Sequence, residues 1–264
     1  MMNILDKIIE CKRDEVRVNK ELVPVNKLEG SVFFKRKMPS FYNALAKPEP
    51  SIIGEFKRKS PSKGTINNSS DVVRVTKGYK DAGISAISIL TDYEFFGGQK
   101  IDLEMVAEFI QIPLLRKDFI IDEYQVIESK SIGASAILLI ASVLNKNEIK
   151  HLASMAHNLG LDILFEIHDE TELEKIAPAI NIVGINNRNL NNFEVSMDNS
   201  RKLIDYLPEN CIKVAESGLR SHNDVNQLFK IGFDAFLIGE NFMRSNDPGL
   251  TASLFIKDLK SGLL

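Results

Sequence analysis

The chain has 264 residues, 44% of them hydrophobic, and a formal net charge of -3. This length suits one large α/β domain or two small ones, and the slightly acidic balance gives no basic surface for nucleic acid. No apolar run has the length of a signal peptide or a membrane span, and two cysteines, Cys11 and Cys211, are too few for a disulfide framework or a zinc site. We therefore expect a cytoplasmic protein with no membrane or nucleic-acid partner.

Residues 1–49 precede the first predicted strand and are expected to be an N-terminal extension, because so short a segment cannot own a core. Its beginning has apolar side chains at helical spacing, which predicts an amphipathic helix. These side chains are Ile4, Leu5, Ile8 and Ile9. Four aromatic residues follow, and we expect them to pack on the rest of the protein: Phe33, Phe34, Phe41 and Tyr42.

From residue 51 the chain alternates between short apolar runs and amphipathic, helix-like stretches. The eight apolar runs are SIIGEF (51–56), AISIL (86–90), IPLLR (112–116), SAILLI (135–140), DILFEI (162–167), NIVGIN (181–186), CIKVAE (211–216) and AFLIG (235–239). Near-continuous Val, Ile and Leu are typical of strands that are covered on both faces. Eight strands alternating with helices fit a closed (β/α)8 barrel or an open doubly wound sheet.

Two features favour the barrel. No Gly-x-Gly-x-x-Gly turn follows the first strand, so the dinucleotide-binding fingerprint is missing. Polar residues also gather at the carboxyl ends of most strands, and in a barrel those ends border one mouth, where active sites lie. The prediction is therefore a single α/β domain over 1–264, a (β/α)8 TIM barrel over 50–264 with the N-terminal helical extension 1–49.

The mouth of this barrel is predicted to be charged. Residues two apart on a strand share a face, so Glu55 projects together with Lys57. The same phasing brings three cations and three carboxylates to the mouth: Lys57, Lys117, Arg188, Glu55, Glu166 and Glu216. The fourth strand contributes an apolar wall. Unpaired buried charge is costly, so these side chains either form structural ion pairs or meet a charged ligand.

The expected pKa values follow from this crowding. A lysine among cations in a partly desolvated mouth should have a lowered pKa, which would suit acid–base work at neutral pH. Desolvation should raise the pKa of Glu166 unless Lys117, on another strand, reaches it.

A second pattern indicates an anion site. The seventh strand ends in AESGL (215–219) and the eighth in LIGEN (237–241), and a helix is predicted after each. Gly218 and Gly239 let backbone amides approach a ligand, and the helix N-termini that follow favour negative charge. Phosphate sites after the last two strands recur in this fold. We therefore expect a phosphorylated substrate.

Seven motifs resemble, in order and spacing, those of the indole-3-glycerol-phosphate synthase family. They are EFKRKSPSKG (55–64), LTDYEFFGG (90–98), LLRKDFIID (114–122), LFEIHDETEL (164–173), GINNRNLNNFEV (184–195), AESGL and LIGENFMRSNDPG (237–249). The resemblance covers the barrel end to end and FYNALAKPEP (41–50) before it. It departs at Gly98-Gln99, where the family more often has Gly-Ser. It implies a carboxy-lyase of tryptophan biosynthesis, which closes an indole ring from an anthranilate-bearing deoxyribulose phosphate with loss of carbon dioxide and water.

The resemblance also implies roles for single residues. Lys117 would be the general acid that activates the ketone, Glu166 its acid–base partner, and Lys57, beside Glu55, a contact for the anionic substrate and a second acid. The implied orienting residues are Ser60, Asn186, Arg188 and Glu216, the implied phosphate ligands are Ser217, Gly218, Gly239 and Glu240, and Phe96 would help to hold the aromatic ring. No cofactor or metal is implied, and both a monomer and a complex with other tryptophan-pathway enzymes are compatible with the motifs.

Two alternatives stand beside this function. A Schiff-base aldolase could use Lys117 or Lys57 as its nucleophile, although Asn186 occupies the sixth strand, where several such aldolases place their lysine. A barrel that only senses an anionic metabolite would need the anion contacts alone, so the full acid–base set argues against it. None of the four histidines is expected to be catalytic, although His168, two residues after Glu166, lies near the predicted mouth.

Overall fold

Eight parallel strands pair in chain order and the eighth pairs with the first, so the sheet closes into a barrel. The structure is a computed structural model that describes residues 3–189 and 194–262. The barrel strands are β1 (Ser51–Phe56), β2 (Ala86–Leu90), β3 (Leu114–Lys117), β4 (Ala136–Ile140), β5 (Asp162–Ile167), β6 (Ile182–Asn186), β7 (Ile212–Glu216) and β8 (Ala235–Ile238). The predicted (β/α)8 barrel is confirmed.

Three strands, β1, β2 and β5, have the predicted bounds, and the other five differ from the sequence-based ones by one or two residues. The largest shift is in β3, which begins at Leu114 because Pro113 has no N–H to donate to a neighbouring strand. Pro113 still accepts a hydrogen bond from the Ile87 amide through its carbonyl (2.9 Å). The shift brings Lys117 into the strand itself, where its backbone is held in register with Leu90 of β2.

Helices surround the barrel, with a short N-terminal group before β1. The helices are α1 (Ile4–Leu22), α2 (Val25–Glu29), α3 (Phe41–Leu45), α4 (Val72–Asp81), α5 (Tyr93–Phe96), α6 (Lys100–Phe109), α7 (Glu123–Ser131), α8 (Lys146–Asn158), α9 (Asp198–Leu203), α10 (His222–Lys230), α11 (Glu240–Met243) and α12 (Pro248–Ser261). Two 3-10 segments lie at Glu170–Lys175 and Ile204–Tyr206. Capping boxes at Asn145 and Ser221 satisfy the first amides of α8 and α10.

The core has two layers. Outward side chains of the strands pack against the helices, whereas inward side chains fill the barrel, among them Ile53, Leu115, Leu164 and Val214. Alternation of this kind follows from the two-residue period of a strand. Cys11 is exposed and Cys211 is buried, and both are free thiols. Within residues 3–189 and 194–262, no helix combines the length and the apolar character that crossing a membrane requires.

The N-terminal helices reach both ends of the barrel. Phe41 and Leu45 of α3 belong to the inner core and close the end at which the strands begin. Asp162, the first residue of β5, accepts hydrogen bonds from Ser40 Oγ (3.1 Å) and from the Tyr42 amide (3.0 Å), which holds α3 in place. Helix α1 lies at the opposite end, beside the mouth.

A buried ion cluster attaches α1 to the mouth. Lys12 is 1% exposed, and its Nζ atom lies 2.6 Å from Glu15, 3.0 Å from Asp92 and 2.9 Å from Asp118. Asp92 also caps α5, and Asp118 follows the catalytic candidate Lys117 directly. A buried ammonium requires such compensation, since an isolated charge in the interior is strongly unfavourable.

Candidate active site

A cavity opens at the carboxyl ends of the strands, and every site residue proposed from the sequence lines it. These residues are Glu55, Lys57, Ser60, Phe96, Lys117, Glu166, Asn186, Arg188, Glu216, Ser217, Gly218, Gly239 and Glu240. The motif GINNRNLNNFEV is described only in part, because residues 190–193 lie outside the described residues.

Four charged side chains form the floor of the cavity, and they come from alternate strands. Glu55 is on β1, Lys117 on β3, Glu166 on β5 and Glu216 on β7. Side chains inside a barrel are layered in this way, four to a layer from every second strand. Here the layer nearest the mouth contains one cation and three carboxylates.

Lys117 lies between two of these carboxylates. Its Nζ atom donates to Glu166 Oε2 at 2.7 Å and to Glu216 Oε2 at 2.8 Å. Burial alone would lower the pKa of Lys117, but the charges of Glu166, Glu216 and Glu55 outweigh burial and raise that pKa above its ordinary value. The expected lowering of the lysine pKa is therefore wrong, because the nearest charges are carboxylates and not cations.

The two partners of Lys117 differ from each other. Burial opposes ionisation of Glu166, but Lys117 and then His168 overcome it and hold the pKa of Glu166 well below its usual range. Asn186 Nδ2 also donates to Glu166 Oε1 at 3.1 Å. The sequence predicted that the pKa of Glu166 would rise unless Lys117 reached this carboxylate. Lys117 does reach it, and the pKa of Glu166 is lowered.

Glu216 is the carboxyl group with the raised pKa. Burial raises the pKa of Glu216 to about 7, Lys117 opposes the rise, and the nearby charge of Glu166 adds to it. One oxygen, Glu216 Oε1, is buried and has no hydrogen-bond partner among the described residues. Near neutral pH the centre therefore combines an ionised Glu166 with a Glu216 that exists in both protonation states.

Glu55 and Lys57 form a pair on β1 and just beyond it, with 2.5 Å between Lys57 Nζ and Glu55 Oε1. Two glycines make room for the buried carboxylates. A Cβ atom on Gly239 would lie 2.3 Å from Glu55 Oε1, and one on Gly184 would lie 2.2 Å from Glu216 Oε1. The sequence assigned Gly239 to phosphate alone and did not assign Gly184, because close approach between strands leaves no mark in a local pattern.

The turn after β7 has an unusual backbone. Ser217 has a φ of 66° and Gly218 a φ of 83°, so two successive residues adopt the left-handed region. A serine in this region is uncommon and requires support from its surroundings. Asn187 Nδ2 supplies it by donating to the Ser217 carbonyl at 3.2 Å. Consecutive backbone N–H groups in such turns form concave sites for anions.

Arg188 and the loop after β1 complete this side of the cavity. Arg188 Nη1 lies 3.4 Å from Ser62 Oγ, and Nη2 lies 3.6 Å from Glu240 Oε2. The loop is a small antiparallel hairpin of Lys59–Ser60 with Gly64–Thr65. Arg58 anchors it through a hydrogen bond to Asp102 Oδ1 at 2.8 Å.

The opposite side of the cavity is apolar. The rings of Phe96 and Phe119 lie 6.0 Å apart, and Leu138 and Ile140 of β4 extend this surface. Helix α1 adds three side chains that sequence reasoning did not place in the site: Ile4, Leu5 and Ile8. Their helical spacing indicated a buried face, but no local signal says which end of the barrel that face covers.

Among residues 3–189 and 194–262, no three His, Cys, Asp or Glu side chains are grouped so as to hold a metal ion. The polar lining of the cavity consists of lysines, carboxylates, an arginine, asparagines and serines. Proton transfer to and from an anionic small molecule suits this set, with an apolar surface for an uncharged part of the ligand. The fold and the site together define a (β/α)8-barrel enzyme of acid–base chemistry.

Comparison with known proteins gives the family. The family model for indole-3-glycerol phosphate synthase matches residues 5–255, and the chain belongs to this family. The indole-3-glycerol phosphate synthase of Bacteroides thetaiotaomicron is 42% identical over 260 residues, which cover 98% of this chain and 100% of that protein. The synthase of Campylobacter curvus is 42% identical over 264 residues, which cover 98% and 100%. The resemblance seen in the motifs is confirmed, and the aldolase and sensor alternatives are not favoured.

Solved structures support the fold alone. KGPDC from Streptococcus mutans superposes with a TM-score of 0.62 at 12% identity and covers 81% of this chain and 98% of its own. The tryptophan synthase α subunit from Legionella pneumophila gives a TM-score of 0.61 at 9% identity, with 84% and 97% covered.

Proposed function

We propose that this protein converts 1-(2-carboxyphenylamino)-1-deoxyribulose 5-phosphate into indole-3-glycerol phosphate. A ring carbon attacks the ketone, the ring carboxylate leaves as carbon dioxide, and the resulting hydroxyl leaves as water. The observation that carries this proposal is the Lys117 ammonium held between Glu166 (2.7 Å) and Glu216 (2.8 Å) at the barrel mouth.

In this proposal Lys117 is the general acid of ring closure. Its raised pKa keeps it protonated in the resting enzyme. The ketone oxygen becomes an alkoxide as the ring carbon attacks, and an alkoxide is basic enough to take a proton from an ammonium group. General acids of this kind contribute about 10²- to 10⁴-fold to the rate. Lys117 is therefore already protonated when the substrate binds.

Glu166 and Glu216 would then exchange protons with Lys117. Glu166 is ionised at rest, so it acts as the base in the proton transfers that follow ring closure. Glu216, with a pKa of about 7, also orients the substrate and shares the lysine proton. Lys57 lines the cavity beside Glu55. We propose that it is the second acid, which protonates the leaving hydroxyl in the dehydration, and that it also contacts the substrate carboxylate.

The remaining residues would bind the two ends of the substrate. The phosphate is assigned to the turns at Ser217-Gly218 and Gly239-Glu240, which line the cavity and whose backbone amides would bind it. Arg188, Asn186 and Ser60 would orient the sugar chain from the same side. The aromatic ring is assigned to the apolar surface that contains Phe96.

We further propose that the enzyme acts in the cytoplasm on this phosphorylated small molecule, without a cofactor and without nucleic-acid or membrane partners. A monomer and a complex with other tryptophan-pathway enzymes are both compatible with this proposal, and light scattering of the purified chain, alone and mixed with purified pathway enzymes, distinguishes them.

The direct test is to incubate the chain with the carboxyphenylamino-deoxyribulose phosphate and to follow indole absorbance and fluorescence. Lys117→Met should reduce turnover by at least about 10²-fold while the circular dichroism spectrum is unchanged. The control is Lys150→Met on the exposed face of α8, which should keep wild-type turnover. A variant at Lys117 that retained a tenth of the wild-type rate would contradict the central role of this lysine. Borohydride trapping of a substrate adduct on Lys117 would support the aldolase instead.

A further inference from the structure

His168 lies between two carboxylates, one of which is Glu166 of the proposed catalytic centre. Its Nε2 atom is 3.3 Å from Glu166 Oε1, and its Nδ1 atom is 3.6 Å from Glu172 Oε2. Glu172, in the 3-10 segment after β5, also accepts the His168 backbone N–H at 2.6 Å. The His168 carbonyl in turn accepts from Asn199 Nδ2 at 2.9 Å. The residue is thus held from both its backbone and its ring.

The position of the ring decides its charge. Both ring nitrogens are buried from solvent, and each faces a carboxylate oxygen. A neutral imidazole has one nitrogen with a lone pair and no proton, which would repel the carboxylate that it faces. Only the imidazolium form presents positive charge on both sides. At 3.3 and 3.6 Å the attraction is mainly ionic, since these distances are long for hydrogen bonds.

These contacts extend the charges of the catalytic centre into a chain of alternating sign. It runs from Glu172 through His168 to Glu166, and from there through Lys117 to Glu216. The two oxygens of Glu166 have separate partners. Oε2 accepts from Lys117, whereas Oε1 faces His168 and accepts from Asn186. His168 is therefore placed to fix which oxygen Glu166 presents to the lysine.

We propose that His168 is a positioning residue for the reaction, an imidazolium that keeps Glu166 ionised and turned toward Lys117. This inference rests on the function proposed above, in which Glu166 is the base. The charged groups that face the ring are Glu166 from β5 and Glu172 from the 3-10 segment. When Lys117 gives up its proton, His168 is the positive charge that still stabilises the Glu166 carboxylate.

The protonation state can be measured on the wild-type protein without substrate. Burial would lower the pKa of His168, but the two glutamates overcome burial and raise it to about 10. In protein labelled with ¹⁵N-histidine, the ring ¹⁵N chemical shifts of His168 should therefore stay in the imidazolium range up to about pH 9. The ring of an ordinary histidine, with a pKa of about 6.5, is mostly neutral by about pH 8. Single Gln variants of His151, His157 and His222 assign the other three histidine signals, so the remaining signal belongs to His168.

The positioning role is tested by the pH dependence of kcat. His168→Gln removes the charge, so the Glu166–Glu216 pair should titrate higher and the acid limb of the kcat profile should move up by about one pH unit. Misorientation of Glu166 should lower kcat by about tenfold, with KM changed less than twofold. His168→Lys restores a positive charge and should return the acid limb toward its wild-type position.

The matched control is His151→Gln. His151 also contacts a glutamate, with Nε2 2.5 Å from Glu123 Oε1, but this pair is exposed on the outer helices. It should have a wild-type pH profile. A His168 resonance that titrates near pH 6.5 would overturn the proposal, and so would an unshifted acid limb in His168→Gln. The ¹⁵N measurement decides even if His168→Gln does not fold, whereas an inactive wild-type enzyme would contradict the proposed function and not the charge of His168.

Discussion

The Nζ atom of Lys12 lies 2.9 Å from Oδ1 of Asp118, so the N-terminal helix is joined by a buried ion pair to the residue next to Lys117. Arg116 Nη2 contacts the other oxygen of Asp118 at 3.1 Å. Together they hold the pKa of Asp118 well below its usual range although burial opposes its ionisation. The position of α1 over the mouth therefore depends on charges that belong to the barrel.

Lys12→Met should loosen α1 and weaken substrate binding. The change keeps the volume but leaves Asp92 and Asp118 without their shared cation, and breaking a buried pair typically costs about 3–5 kcal/mol. Since α1 contributes Ile4, Leu5 and Ile8 to the cavity, KM should rise more than kcat falls. Urea unfolding and steady-state kinetics measure both. Lys7→Met, on the exposed side of the same helix, is the control; an unchanged KM in Lys12→Met would show that α1 has no part in binding.

Glu166→Gln and Glu55→Gln should have different kinetic effects. Glu166 contacts Lys117 directly, so its replacement should lower kcat and alter the pH–rate profile with little change in KM. Glu55→Gln should release Lys57 from its partner and change KM as well, because Lys57 is proposed to meet the substrate's negative charge. Both constants are measured across pH for each variant. Matching effects would mean that the two carboxylates act as one network, and the division of roles would be withdrawn.

Glu216→Gln should stabilise the fold at alkaline pH while it lowers activity. The folded pKa of Glu216 is about 7, above the unfolded value of 4.5. Ionising a group whose folded pKa is raised costs stability, and this cost grows as pH rises from the unfolded to the folded pKa. The melting temperature of Glu216→Gln relative to wild type should therefore increase between about pH 4.5 and about pH 7. Glu209→Gln, which is exposed, should show no such trend; a pH-independent difference for Glu216→Gln would argue against a raised pKa.

Gly239→Ala should impair catalysis as well as phosphate binding. An assignment of Gly239 to phosphate binding alone predicts that a substitution chiefly raises KM, but the structure places Glu55 Oε1 2.3 Å and Glu55 Cβ 2.8 Å from the added Cβ atom. Glu55 must move, and Lys57 with it, so kcat should fall by about tenfold or more. Gly30→Ala, whose Cβ would meet nothing closer than 3.4 Å, is the control. If Gly239→Ala changed only KM and weakened inhibition of the enzyme by inorganic phosphate, Gly239 would serve phosphate binding alone.

The barrel and the residues that line its mouth could be predicted from the sequence, because both follow from local patterns. Strands of continuous Val, Ile and Leu mark the buried sheet, and the two-residue period places Glu55 with Lys57 and Leu164 with Glu166. Parallel topology then brings all strand ends to one side. For these features, knowledge of the partners across the barrel was not needed.

The electrostatics could not be predicted in the same way. Whether Lys117 has cations or carboxylates as neighbours depends on which strands face each other across the barrel, and the answer reversed the direction of its pKa shift. The charge of His168 could not be predicted either, because its partner Glu172 belongs to a 3-10 segment. Nor could the position of α1 at the mouth, because the ion pairs of Lys12 determine which end of the barrel this helix covers. Each of these depends on contacts between residues far apart in sequence or outside regular strands.

The alternate-strand layer at the mouth has a consequence for how the barrel assembles. Cut between β4 and β5, the first half of the chain contains Glu55 and Lys117, and the second half contains Glu166 and Glu216. The second half alone would expose two neighbouring carboxylates with no lysine between them, and Lys117 in the first half would lose both of its closest partners. The two halves therefore depend on each other through the same charges that are proposed to perform the chemistry. If the halves are expressed separately, their association should weaken as salt screens the pairing of Lys117 with Glu166 and Glu216.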